Sequence, residues 1–182
     1  MSVQQIPAHH LIYGQLSDYL TGEELVDTDD ERFRQQLARM MVEEKGYEKE
    51  EVEPRLFIET LFNHHFVRST VDLTVSLEGK RFLILRYGPG SLVSRERSAV
   101  AAARVLDKEY QIPLAVVTNS RDAELLDCQD GKVLGQGMEA IPDRSQALAM
   151  FGDLQFRSPL TETKRQRELR ILNAFDLQRC CI

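Results

Sequence analysis

The 182-residue chain has no tryptophan and only three cysteines, Cys128, Cys180 and Cys181. The last two are adjacent, and neighbouring cysteines rarely bridge each other. No CxxC pair or Cys/His cluster occurs, so neither a disulfide framework nor a zinc site is supported, and the tail cysteines read as reduced thiols. The Arg-Cys-Cys-Ile ending is not a prenylation box, because Arg179 stands fourth from the end. No apolar run approaches the ~18–20 residues that span a bilayer. The opening MSVQQIPAHH lacks the basic start and apolar stretch of a signal peptide. A cytoplasmic protein with no membrane partner is expected. A basic surplus is missing too. The net charge of −6 and a pI near 5.3 argue against nucleic-acid binding by the surface at large, while leaving room for a local basic patch. Gly-Lys-Ser/Thr after a glycine-rich loop is absent, as is GxGxxG, which excludes a Walker loop and a Rossmann fingerprint. No Ser/His/Asp order or nucleophilic cysteine context is recognisable. The pairs His9-His10 and His64-His65 have no third ligand at a metal-binding spacing. Cys128 reads as a buried small hydrophobe.

What is present is an ordinary globular composition, 42% hydrophobic and 29% charged, long enough for one domain with a full core. Residues 1–27 read as an extension wrapping the domain, with Tyr13, Leu16, Tyr19 and Leu20 at the spacing of a short helix. Thr28-Asp-Asp-Glu31 is a capping box that opens a helix over roughly 29–45, with Phe33, Leu37, Met40 and Met41 as its apolar face and Gly46 as its stop. Arg55–Ile58 is a short apolar strand. Thr70–Leu77 alternates, and Glu78-Gly79-Lys80 turns it into the continuous apolar run Arg81–Tyr87. After Gly88-Pro-Gly-Ser91 a helix is expected over roughly 94–109, with Ser94 as N-cap. Small residues Ala99 and Ala103, with Leu106 and Tyr110, form one stripe; Arg97, Arg104 and Lys108 form the opposite one. Ile112–Thr118 reads as a buried strand, Asp122–Gly135 as a hairpin turning at Asp130-Gly131, and 143–150 and 160–176 as helices. The order predicts an α/β fold in which an antiparallel meander feeds a crossover helix and a further strand, flanked by helices. The main domain is expected over 28–150, with 151–182 a helical segment packing on it. Lys164, Arg165, Arg167 and Arg170 stand in that segment, with Leu169 and Leu172 behind them, as on an amphipathic helix that packs on the domain or on a second subunit.

Glu31 on the capped helix, Gly46-Tyr47, Val52-Glu53 and the strand Val71-Asp72-Leu73 before a hairpin together resemble the N-terminal domain of the R subunit of type I restriction enzymes, a branch of the PD-(D/E)xK nuclease superfamily. The resemblance covers roughly residues 22–140. It implies a restriction-endonuclease-like mixed sheet, with Asp72 as the motif aspartate and metal ligand and Glu31 as the helix glutamate. With Pro89 as anchor, the expected Glu-x-Lys falls on Leu85-Arg86-Tyr87, where neither acid nor lysine stands. In such a site two carboxylates jointly hold Mg²⁺, and the lysine orients or deprotonates the attacking water. Leu85 can do neither, and a phenol with a pKa of about 10 makes Tyr87 a poor base. Of the carboxylates available to replace the missing one, Glu59 is the best placed if its strand lies beside Asp72; Glu53 and Glu78 are the others, with Lys80 or Arg86 as cation.

The turn from Arg86 to Arg97 is the most distinctive stretch of the chain. A helix N-terminus with Ser91, Ser94, Arg95 and Arg97 beside it, and the Arg104 stripe beyond, suits a DNA phosphate or another anion. The plainer reading is a structural turn and a solvated basic face. The expected function is therefore a catalytically inactive restriction-endonuclease-like domain acting as a DNA-associated or regulatory binding module without a cofactor. DNA and other restriction–modification subunits are its expected partners, and homodimerisation is open. Two readings stand beside it: an active Mg²⁺-dependent endonuclease with a relocated acid, and a protein- or anion-binding domain on the same scaffold.

Overall fold

A computed structural model describes residues 12–62 and 65–177. The chain opens with a two-stranded antiparallel sheet, β1 (Ile12–Ser17) and β2 (Glu24–Thr28). The helix expected around Tyr13–Leu20 does not form. The Asp18 carboxylate accepts from the backbone N–H groups of Leu20 and Thr21, at 2.9 and 2.8 Å. This side-chain turn, followed by Gly22 at φ +73°, reverses the chain where the apolar spacing suggested a helix.

Thr28 then caps α1 (Asp29–Arg39), accepting from the Glu31 N–H. The Glu31 carboxylate does not complete the expected box but turns inward to Arg34 and Gln35. The helix runs on as one π-helical turn, Met40–Glu44, and ends at Gly46, φ +76°. The meander follows as β3 (Val52–Phe62), β4 (His65–Leu77) and β5 (Lys80–Tyr87). The β4–β5 turn has both Glu78 and Gly79 at positive φ, +51° and +76°, as a two-residue hairpin of this hand requires. The crossover helix α2 (Val93–Leu106) leads to β6 (Leu114–Thr118), parallel to β5. β7 (Ala123–Asp127) and β8 (Val133–Gln136) complete a six-stranded mixed sheet in the order β3-β4-β5-β6-β7-β8. The helices α3 (Arg144–Phe151) and α4 (Glu162–Leu177) follow. This is the α/β architecture expected from the order of elements, with the restriction-endonuclease-like mixed sheet that the resemblance implied.

The sheet is covered on both faces. On one side Leu37 of α1, Met41 of the π-helical turn and Ala147 of α3 pack on Leu73, Val75, Leu83 and Leu85. On the other, Ala99, Ala102 and Ala103 of α2 and Leu169 and Leu172 of α4 pack on Val71, Ile84, Ala115 and Val117. Alanines let α2 lie close to the strands. The faces switch partway along the first hairpin: Val52 belongs to the first core, whereas Ile58 belongs to the second. Between them Arg55 adopts φ +55°, a left-handed conformation that costs a non-glycine residue on the order of 1–2 kcal/mol. Its partner strand changes face at the same level, between Leu73 and Val71. Asp72 stands at that switch.

Candidate functional site

The β4–β5 ladder ends at the pair Leu73↔Leu85. One residue beyond it, the Asp72 carboxylate takes over from the backbone. Its Oδ2 accepts from the Tyr87 N–H at 2.7 Å. Its Oδ1 accepts two bonds from Arg34, from Nε at 3.1 Å and from an η nitrogen at 2.8 Å. Arg34 also donates to Glu31 Oε2. Glu31 Oε1 accepts from Gln35 Nε2 at 2.8 Å and lies 3.5 Å from the Arg55 guanidinium. Arg55 is ion-paired with Asp18, and Gln35 bridges to Asp18 Oδ2 at 2.9 Å. Asp18, Glu31 and Asp72 are thus threaded by Arg34 and Arg55 into one network, with all three carboxylates buried.

The electrostatics follow from that arrangement. Burial pushes the Asp18 carboxyl up, but hydrogen bonds from Arg55, Gln35 and the Thr21 N–H outweigh it and hold it well below the usual carboxylate range. Burial works against the Arg34 charge, yet the charges of Asp72 and Glu31 raise its pKa above the ordinary arginine value. The guanidinium is therefore a permanent cation lodged between the two carboxylates that the motif would use for metal.

These residues do not fit a divalent ion. An ion touching both Asp72 and Glu31 would have to share their oxygens with the Arg34 charge, and like charges at contact are strongly unfavourable. Among the described residues no group of three or more His, Cys, Asp or Glu is arranged to hold a metal. The strand opposite gives no help. Leu85 is fully buried in the core with Leu73 and Leu83. The Tyr87 ring stacks on Phe33 at 4.1 Å between centroids.

Other residues singled out in the sequence are dispersed. Glu59 is ion-paired with Arg68 directly across the hairpin, both half exposed. It lies four residues beyond Arg55, about 13 Å along the strand at ~3.3 Å per residue, and is not brought to Asp72. Arg86 points to the opposite face of the sheet, where it is buried against Asp176 of α4 at 3.0 Å and the Ser98 hydroxyl at 3.0 Å. Ser91 and Ser94 are exposed. Ser94 is not the N-cap: α2 begins at Val93, Leu92 holds the cap position, and the Ser94 hydroxyl donates to the Ser91 carbonyl. Arg95 donates to the Pro89 carbonyl at 2.6 Å. Arg97 and Arg104 both meet Glu168 of α4, and Arg104 also caps the carbonyls of Cys128 and Gln129. A cleft of about 370 Å³ beside them is lined by Glu96 and Asp130 as well as by the two arginines, so its charge is mixed. Cys128 is buried, and burial raises its thiol pKa. His9, His10, His64, Cys180 and Cys181 lie outside the described residues.

Asp18, Arg34, Gln35 and Arg55 escaped the sequence reading. One signal was available. Glu31, Arg34 and Gln35 stand at i, i+3 and i+4 on α1, on one helical face, and that face continues into Leu37 and Ala38, which are buried. Polar residues in line with a core face are candidates for a buried network.

Among the described residues no helix is long and apolar enough to cross a membrane. Neither the curated proteins nor the solved structures compared with the chain give a match. The model of one family does match, over residues 29–142, and its description is Type I restriction enzyme R protein N terminus. That span runs from the first residue of α1 to the segment before α3, and so contains the sheet, Glu31, Arg34 and Asp72. The chain belongs to the family of type I restriction enzyme R protein N-terminal domains.

Proposed function

We propose that this domain is a PD-(D/E)xK-type nuclease scaffold that no longer cleaves, and that it serves as a DNA-associated or regulatory binding module in the cytoplasm. Its partners would be DNA or other restriction–modification subunits. The family membership supports the DNA connection. The observation that carries the loss of cleavage is the Arg34 guanidinium bound to both Asp72 and Glu31. In a working site that charge would be a metal ion able to polarise a phosphate and to lower the pKa of its water. A guanidinium matches the charge in part but has no open coordination position and cannot generate hydroxide. The empty roles at Leu85 and Tyr87 point the same way.

Two measurements test this reading. Supercoiled plasmid and labelled single- and double-stranded oligonucleotides incubated with the full chain and Mg²⁺ or Mn²⁺ should remain intact. Cleavage that disappears in Asp72→Ala would establish the active alternative. In mobility-shift experiments at low salt the same chain should retard duplex DNA; no retardation of any DNA would remove the nucleic-acid part of the proposal.

A further inference from the structure

The arginines that looked most suited to DNA are engaged by acids of the same chain. Arg97 and Arg104 share the single carboxylate of Glu168, and Arg86 is paired with Asp176. Both of these acids belong to α4 and both are turned inward. Their burial has a consequence for the other side of that helix. From Glu162 to Asp176 the exposed residues of α4 are Glu162, Thr163, Lys164, Gln166, Arg167, Arg170, Ala174 and Phe175. Three are cations, and the one acid, Glu162 in the first turn, accepts from Gln166 and is ion-paired with none of the three. No ion pair among the described residues involves Lys164, Arg167 or Arg170, whereas Arg32, Arg39, Arg68, Arg81 and Arg144 each have a carboxylate partner. In a chain with a net charge of −6, this concentration of unneutralised positive charge stands out.

We infer that the solvent face of α4, through Lys164, Arg167 and Arg170, is the surface on which this domain docks the phosphate backbone of duplex DNA. The inference rests on the DNA-associated reading above. The three residues are spaced three apart, so they rise about 4.5 Å per step and about 9 Å in all. That matches the axial length of two to three phosphates of one strand, at about 3.4 Å each. Long flexible cations on successive turns neutralise a backbone without reading bases, so the contact is expected to be sequence-independent and salt-sensitive. A membrane surface is disfavoured by the packing. An interfacial helix needs a broad apolar face to insert, and the apolar residues Leu169 and Leu172 of α4 are committed to the core at 8% and 0% exposure. The helix follows the segment matched by the family model, so the family match itself does not bear on this surface.

The test is fluorescence anisotropy of the full chain with a labelled 30-base-pair duplex, titrated from 50 to 200 mM salt. The variants are Lys164→Ala/Arg167→Ala/Arg170→Ala and, as a surface control, Arg121→Ala, an exposed cation of the β6–β7 turn. Three phosphate contacts contribute about 2.7 to the slope of log affinity against log salt, or roughly a forty-fold loss over that range. The triple variant should lose a slope of about that size and bind at least ten-fold more weakly at 50 mM, with circular dichroism unchanged; the control should match the wild type. A triple variant with unaltered affinity and slope would overturn the placement while leaving DNA association intact. A wild-type chain that binds no duplex at 50 mM would overturn both. If vesicles of phosphatidylcholine and phosphatidylserine bind as tightly as DNA and lose binding in the same variant, the occupant is a membrane and the inference fails.

Discussion

Replacing Arg34 by alanine tests whether a guanidinium has taken over the work of a metal. The side chain is 12% exposed, and its partners Glu31 and Asp72 are 9% and 7% exposed, so solvent screening is slight. Removing it leaves two buried carboxylates with no cation between them. Breaking a buried ion pair in this way costs about 3–5 kcal/mol, a large part of a typical domain stability of ~5–15 kcal/mol. For a chain of this size each kcal/mol is worth about 2–4 °C, so Tm should fall by roughly 6–20 °C. The second half of the experiment is more telling. With the guanidinium gone, Asp72 and Glu31 regain a reason to bind a divalent ion. If the variant binds Mn²⁺ with a Kd near 1 mM, 10 mM Mn²⁺ returns about 1.4 kcal/mol, or roughly 3–6 °C. Differential scanning calorimetry of both proteins with and without Mn²⁺ reads this directly. The wild type should be indifferent to the ion. A wild-type Tm that rises with Mn²⁺ as much as the variant's would refute the idea that Arg34 fills the cation's place. So would a loss of less than about 1 kcal/mol in the variant.

Three further outcomes follow from other charges. Arg86→Met keeps the stem but strands the buried Asp176; it should cost about 3–5 kcal/mol and free α4, so hydrogen exchange should show α4 amides losing protection ahead of β5 and β6. Asp18→Asn removes a carboxyl held below its ordinary value. The stability it supplies, about 2–3 kcal/mol from charged hydrogen bonds, is complete above the unfolded-state value of ~3.9 and is lost as pH falls toward the lower folded value. The Tm gap between wild type and variant should therefore be full at pH 6–7 and close progressively below about pH 4. Glu96 has the opposite sign. Burial and the neighbouring Glu124 raise its pKa, so its folded state is favoured at low pH and loses that advantage as pH rises through the raised value. Glu96→Gln should raise Tm at pH 7 and leave it unchanged near pH 3; equal Tm values at pH 7 would count against the repulsion.

The sheet was legible because its signals are local. Glu78-Gly79 needs no distant partner to make a hairpin turn, and Thr28 caps α1 with an N–H three residues away. The continuous apolar run Phe82–Leu85 announced a strand buried on both faces, and all four residues are fully buried. Where side chains reach across the fold, sequence pattern is silent. Arg34 and Asp72 are 38 residues apart, and Arg97 and Glu168 are 71 apart. Helical periodicity places Arg97 and Arg104 together on a face but cannot say that α4 brings an acid to them. The N-terminal hairpin failed for a related reason. Tyr13, Leu16, Tyr19 and Leu20 do fit a helical period, but Tyr13 is 49% exposed and so gains little by helix formation, whereas the Asp18 carboxylate gains four hydrogen-bond donors by making the turn.

That gain clarifies what Asp72 does in this chain. An aspartate whose metal partner is missing would be a liability, since a buried carboxylate without a cation is costly. Here each oxygen has a structural use. Oδ2 ends the β4–β5 ladder by binding the Tyr87 N–H, and Oδ1 anchors α1 to the sheet through Arg34. Through Glu31 and Gln35 the same network reaches Asp18 and ties the N-terminal hairpin to the helix. Meanwhile Leu85, where the proposed reading would put the second acid, is packed against its neighbours in the core with no exposed surface. A carboxylate there would be buried beside Leu73 and Leu83, with Arg34 already committed elsewhere. On the nuclease-scaffold reading proposed above, the two features support each other: the arginine gives the aspartate a structural use without metal, and the leucine makes a second metal-binding acid at that position expensive.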